Sequence, residues 1–202
     1  MEDELVISEN ADSWLKLGLV AVSGIAATFV WSRAVNFGDL VQTMITQKGM
    51  HIDQATFDRM VQSMSASPAL LGSFSMLWTM LISFLLDSAI LILATRITKH
   101  AVMSYARARD IVATAMVVYI IKFLAIIGWA LFRPVGGTPM SQLLPFSLGH
   151  LTGKPMLYSI DLFFVTYIVA VLWLLRNGAR STLWVWLASV AGYNTAIIAL
   201  MS

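Results

Sequence analysis

The 202-residue sequence contains no cysteine and few charged residues. Without cysteine, the chain cannot form disulfides, thiolate zinc sites or a cysteine nucleophile. Charged residues make up 12% of the chain and apolar residues 58%, whereas soluble domains have about 25% and about 45–50%. So few charges cannot cover the surface of a water-soluble protein of this size. The net charge is only +2, and this small excess does not indicate nucleic-acid binding, which needs basic clusters on one face.

The sequence also lacks the short motifs of common catalytic sites. HExxH, GxSxG, GxxxxGKS/T and GxGxxG are all absent. The histidines at positions 51, 100 and 150 are far apart in predicted loops, so we expect them to be solvated rather than to bind a metal. The sequence therefore predicts a protein that is not an enzyme and that has no cofactor and no metal site.

Long uncharged runs predict an all-α, polytopic membrane bundle of five transmembrane helices. Trp14 and Trp31 bracket the first run, as tryptophan often does at a membrane interface. Residues 1–15 form a short acidic tail, and residues 16–202 form a single membrane domain. The predicted spans are residues 17–32, 70–95, 111–132, 156–175 and 181–202.

Basic residues are denser in the loop after span two than in the loop after span one. Four Lys and Arg lie within residues 96–110, against three within residues 33–69. Because cytoplasmic loops carry the excess of positive charge, we expect the N-terminus inside and the C-terminus outside. Topology and lipid head groups account for the basic loop, and docking to a cytoplasmic partner is the alternative.

The segment between the first two spans, residues 36–66, is too polar to cross a membrane but is amphipathic. Apolar residues recur at helical spacing in both of its halves, and Asp53 stands where the second helix needs an N-cap. Two interpretations stay open, a cap over the protein's own spans and a surface that docks on lipid or a partner. The predicted apolar face comprises Phe37, Leu40, Val41, Met44, Phe57, Met60, Val61 and Met64.

Three charged residues lie inside the predicted spans: Asp87, Lys122 and Asp161. Each costs about 2.5–3.5 kcal/mol on insertion scales and therefore needs a partner or a function. Counted at about 1.5 Å per residue from the inner helix ends, they lie roughly 12, 18 and 22 Å deep. We predict an Asp–Lys–Asp cluster that determines how spans two, three and four face one another. A proton or ion path and snorkelling to the surface remain alternatives.

Span two also carries hydroxyl side chains at four-residue spacing before Asp87. Ser75, Thr79 and Ser83 lie within one broad helix face, which predicts a polar stripe that points into the bundle toward Lys122. The alternative is that these hydroxyls bond to carbonyl groups of their own helix.

Span five carries small residues at the same four-residue spacing. Ala188, Gly192 and Ala196 form a stripe of the kind that allows close helix approach. The stripe predicts helix packing, either within the chain or with another subunit.

The layout resembles the bacterial branch of the Yip (Ypt-interacting protein) family, small five-span membrane proteins with the N-terminus inside. The likeness includes a short first span followed by an outer helical segment, and Leu143-Leu144-Pro145 in the outer loop. The most recognisable motif is Ser159-Ile160-Asp161-Leu162-Phe163 at the start of span four.

The resemblance implies a protein without enzymatic activity that acts through other membrane proteins. Bacterial relatives look like accessory subunits of MacAB-type ABC exporters, so the implied partners are membrane lipids, an ABC permease and a periplasmic adaptor. The implied location is the bacterial inner membrane, and Asp161 is the motif residue that would orient span four. The acidic tail is too short for the GTPase-binding role of eukaryotic relatives.

Overall fold

The computed structural model describes residues 2–98, 103–152, 160–175, 182 and 184–188, with side chains from residue 11 onward except 47 and 48. Within these residues the regular secondary structure is entirely helical, and Ser147 and Asp161 form an isolated bridge. The elements are α1 (Glu2–Ala34), α2 (Phe37–Lys48), α3 (Gln54–Ala66), α4 (Pro68–Ile97), α5 (Tyr105–Met116), α6 (Val118–Phe132), a 3-10 turn (Met140–Gln142), α7 (Leu148–Thr152) and α8 (Leu162–Leu175).

Within the described part of the chain, three stretches are long and apolar enough to cross a membrane: Ala11–Ala34, Pro68–Ile97 and Tyr105–Phe132. At about 1.5 Å per residue, each exceeds a hydrocarbon core of about 30 Å. They coincide with predicted spans one to three and indicate a helical membrane protein. Helix α8 is equally apolar over the 14 residues that the structure describes.

The helix boundaries differ from the prediction at three places. Helix α1 begins at Glu2, so the predicted acidic tail is helical. Helix α5 begins at Tyr105 rather than 111, because the Ser104 side chain accepts the Arg107 N–H at 3.2 Å and caps the helix. Predicted span four begins at 156, whereas α8 begins at Leu162. Residues 156–159 and most of span five, including Gly192 and Ala196, lie outside the described residues.

The segment between the first two membrane helices folds as two capped helices. Asn36 Oδ1 accepts the Gly38 N–H at 3.0 Å to begin α2, and Gly49 ends α2 in the left-handed region with φ 62°. Asp53 Oδ1 accepts the Thr56 N–H at 3.0 Å and begins α3. The cap at Asp53 confirms the N-cap that the sequence pattern predicts.

The chain divides into two compact units. One comprises Met1–Val20, Thr79–Tyr119 and Leu162–Ser202, and the other comprises Ala21–Trp78 and Ile120–Asp161. We call them the first and the second unit. The first has fully buried Phe84 and Trp186 in its core, whereas Val41 and Ile126 are buried in the second.

Candidate functional site

An ion pair in the second unit neutralises the one lysine of α6. Lys122 Nζ lies 2.5 Å from Asp161 Oδ2, and the two side chains are 20% and 5% exposed. Lys122 lies ten residues before Phe132, the end of α6, and Asp161 directly precedes the first residue of α8. Because an isolated charge at this depth in a membrane protein is costly, the pair holds the chain at Asp161 against α6 within the second unit.

A buried carboxylate in the first unit has an aromatic partner. Asp87 of α4 is 5% exposed, and its Oδ2 accepts a hydrogen bond of 2.7 Å from the Tyr167 hydroxyl. The indole N–H of Trp186 donates to the Asp87 backbone carbonyl at 3.2 Å. Among the described residues, Asp87 Oδ1 has no hydrogen-bond partner. The Tyr167 ring packs against Trp186 at 6.0 Å and against Tyr119 at 5.7 Å between ring centroids.

The predicted Asp–Lys–Asp cluster is thus represented by two separate arrangements. Lys122 and Asp161 form an ion pair in the second unit, whereas Asp87 belongs to the first, where its described side-chain partner is a phenol. Sequence reasoning missed Tyr167. The available signal was its hydroxyl in a strongly apolar helix, since a buried tyrosine hydroxyl usually needs a partner.

The four positions of the predicted stripe on α4, from Ser75 to Asp87, do not share one buried face. Ser75 and Thr79 are exposed, Ser83 is half-buried and Asp87 is buried. The prediction that the stripe points into the bundle is therefore wrong for its first two members. Four-residue spacing drifts by about 40° per step, so three steps carry the stripe about 120° around the helix.

The amphipathic segment packs on the protein's own loop after α6 through α2. Leu40 and Val41 are buried, and the φ of 55° at Gly136 turns the loop so that its neighbour Gly137 lies against the Asp39 backbone. Met44 is exposed and Phe37 is half-buried. Helix α2 therefore fits the interpretation of a cap over the chain itself. The apolar residues of α3 are only half-buried: Phe57, Met60, Val61 and Met64.

A polar network that sequence reasoning missed joins α1 to α5 within the first unit. Lys16 Nζ lies 2.5 Å from Asp12 Oδ2, 2.9 Å from Asp110 Oδ1 and 3.0 Å from Thr114 Oγ1. Lys16 directly precedes predicted span one and Asp110 directly precedes predicted span three, and these opposite charges at span boundaries were the signal that could have paired them.

One residue of the predicted basic loop belongs to an aromatic contact. The Arg109 guanidinium lies 4.9 Å from the Tyr105 ring centroid and 5.6 Å from that of Trp14. Stacking on tryptophan and tyrosine is typical of arginine at a membrane interface. This contact gives Arg109 a role in helix packing in addition to the predicted effect on topology.

The remaining predicted positions add no further cluster. His51 is exposed, His150 Nδ1 lies 2.9 Å from Ser147 Oγ, and His100 lies outside the described residues. Ala188 is exposed, so the small-residue stripe has one described member. No group of three or more His, Asp or Glu side chains that could hold a metal occurs in the described part of the chain.

Comparison with known proteins gives no matching family model, curated protein or solved structure. The fold and the site define a class: a helical membrane protein with an ion pair and a buried, hydrogen-bonded carboxylate in its apolar helices.

Proposed function

We propose that this chain is a non-catalytic membrane subunit that binds and organises other membrane proteins. The supporting observation is that the charged and polar side chains inside the membrane helices pair with other side chains of the same chain. Lys122 forms an ion pair with Asp161, and Asp87 accepts a hydrogen bond from Tyr167, so these side chains connect distant segments of the chain itself. Charged groups engaged in this way stabilise a scaffold, and a scaffold works through its surface.

The resemblance to the bacterial Yip branch supports an ABC-type, MacAB-like export complex as the assembly. The partners would be the permease and the periplasmic adaptor, together with membrane lipids. We propose a bacterial inner-membrane location, with five spans, the N-terminus inside and the C-terminus outside. Large apolar side chains on α4 are exposed and available to lipid or to a neighbouring subunit, among them Leu70, Phe74 and Trp78.

Photo-crosslinking tests this proposal in the membrane. A benzoylphenylalanine at Phe74, which is 67% exposed, should crosslink to subunits of an export complex, and the same chains should co-purify in mild detergent. The matched control is the same replacement at Phe84, which is fully buried and should give no intermolecular product. Crosslinks from Phe74 to lipid alone, with a single chain after purification, would contradict the proposal.

The proposed orientation can be tested directly because the chain has no cysteine of its own. A membrane-impermeant maleimide should label Ser65→Cys, an exposed position of α3, in intact cells. It should label Arg107→Cys of α5 only after permeabilisation. The reverse labelling pattern would show the opposite topology. Equal labelling of both positions in intact cells would contradict the prediction that they lie on opposite sides of the membrane.

A second candidate is a small proton- or ion-coupled transporter that uses Asp87, Lys122 and Asp161. It is favoured by the buried Oδ1 of Asp87, which has no partner among the described residues. Proteoliposomes discriminate between the two functions. The transporter requires a flux in the wild-type protein that Asp87→Asn and Lys122→Met abolish. The scaffold requires no flux in any of the three.

A further inference from the structure

The chain that follows α6 lies beside α1 at successively deeper levels. Both helices belong to the second unit here and end on the same side, α1 at Ala34 and α6 at Phe132. The first contact lies just beyond the helix end, where the Asn36 N–H donates to the Gly136 carbonyl at 2.8 Å. At this point the loop is level with the end of α1.

The next two contacts move down α1. The Trp31 indole N–H donates to the Thr138 carbonyl at 3.1 Å, about 4.5 Å below the last residue of α1. Thr28 Oγ1 lies 3.8 Å from Met140 Sδ, about 9 Å below the same helix end. As the loop advances by two residues, from 136 to 138 and from 138 to 140, its contact with the α1 segment moves closer to the interior.

The deepest contact involves α6 and an ion pair. Ser147 forms its bridge with Asp161, and the Leu148 N–H donates to the Ile160 carbonyl at 2.9 Å. Asp161 in turn holds Lys122, which lies about 15 Å along α6 from its end at Phe132. Even if the lysine side chain extends toward the surface, Ser147 lies well below the ends of α1 and α6.

The exposure of the side chains matches this depth. Leu143 and Leu144 are 4% and 6% exposed, so the non-helical stretch to which they belong packs against the protein. Non-helical backbone inside a membrane is tolerated where protein buries it. The outward side chains beside the bridge are apolar, with Phe146 61% and Leu148 42% exposed. Ser147, the polar residue between them, is 2% exposed and bonds within the protein.

We infer that the described stretches 138–148 and 160–161 form a re-entrant segment within the membrane, and that Phe146 and Leu148 contact lipid acyl chains there. This inference goes beyond the proposed function and does not depend on it.

Site-directed spin labelling in lipid vesicles tests the inference without removal of any native cysteine. Labels are attached to Phe146→Cys and Leu148→Cys. Phe132→Cys, 88% exposed at the end of α6, and Ser65→Cys, exposed on α3, serve as references. Depth is measured from the ratio of accessibility to oxygen and to a water-soluble nickel chelate. We expect the labels at 146 and 148 to lie about 10 Å deeper than the label at 132.

Two results would overturn the inference. Nickel accessibility at 146 and 148 equal to that of the label at 65 would place the segment in water. Low accessibility to both reagents would show that protein, rather than lipid, covers these side chains. Circular dichroism and gel filtration establish that each labelled protein is folded, and either of the two labels alone decides the depth. All of these outcomes leave the crosslinking test of the scaffold function unaffected.

Discussion

The Tyr167 hydroxyl lies 2.7 Å from Oδ2 of Asp87 and donates a hydrogen bond to a carboxylate that is almost completely buried. The two residues are 80 positions apart in the chain, so the bond connects α8 to α4. A charged or polar group in an apolar interior loses its hydration, and the partner that replaces water then contributes more than it would at a surface.

Removing the Tyr167 hydroxyl should therefore destabilise the first unit. We expect Tyr167→Phe to lower the free energy of unfolding by about 1–3 kcal/mol, because it leaves Asp87 without its described side-chain donor. Denaturation in detergent, followed by tryptophan fluorescence, measures the change. The matched control is Tyr105→Phe, at a half-exposed position where the ring, rather than the hydroxyl, contacts Arg109. Equal effects of the two variants would contradict the role given to the Asp87 bond.

The Lys122–Asp161 pair should behave as a unit. Lys122→Met removes the positive charge beside a buried carboxylate, and Asp161→Asn removes the negative charge beside the lysine, so each should destabilise the protein by about 3–5 kcal/mol. The double variant Lys122→Met/Asp161→Asn leaves no charge and should cost clearly less than the sum of the two. A double-mutant cycle in detergent measures this coupling, and simple additivity would show that the two charges do not stabilise each other.

Gly137 is required by the close approach of the loop after α6 to α2. A Cβ at this position would lie 2.3 Å from the Asp39 carbonyl carbon and 2.6 Å from its oxygen. Since backbone atoms cannot turn aside as a flexible side chain can, Gly137→Ala should separate the loop from α2 and expose Leu40 and Val41. Increased hydrogen exchange across α2 would show this separation. The matched control is Gly128→Ala in α6, where nothing lies within 4 Å and exchange should not change.

The start of α3 should depend on pH through Asp53. The Thr56 side chain, and then its backbone N–H, stabilise the carboxylate and lower the pKa of Asp53 below its usual value of 3.8. A lowered pKa in the folded protein stabilises the helix above about pH 5, and this contribution is lost as the pH falls through the folded-state pKa. Hydrogen exchange of α3, corrected for intrinsic rates, should increase between about pH 5 and pH 3.

The variant Asp53→Asn provides the control for this pH effect. Asparagine keeps an acceptor at the N-cap but does not titrate, so the corrected exchange of α3 should be independent of pH in this range. A pH dependence that persists in Asp53→Asn would show that another group causes it.

Local chemistry explains why part of the fold could be predicted. The apolar runs within α1, α4 and α5–α6 are visible in the composition of each segment, and so are the caps at Asp53 and Gly49. A helix that crosses a membrane satisfies its backbone hydrogen bonds internally and needs only its own apolar side chains for insertion. Its existence is therefore a property of a single stretch of sequence.

The partner of a buried polar group cannot be predicted from a single stretch of sequence, because it lies on another segment of the chain. The predicted depths of Asp87, Lys122 and Asp161 in the membrane were similar, but similar depth does not determine which helix faces which. Helix rotation decided that Asp87 meets Tyr167, and the late start of α8 decided that Asp161 reaches Lys122. The same rotation exposed Ser75 and Thr79, which the four-residue spacing had assigned to the interior.

By itself, then, the amino-acid sequence determined the class of this protein: an all-helical chain whose apolar stretches are long enough to enter a lipid bilayer. Only the tertiary structure decided which side chain pairs with each buried carboxylate and how deep the loop after α6 lies. The physical reason is range. Hydrophobicity and helix caps act over a few neighbouring residues, whereas an ion pair or hydrogen bond inside the membrane requires two distant segments to arrive at the same level and face each other.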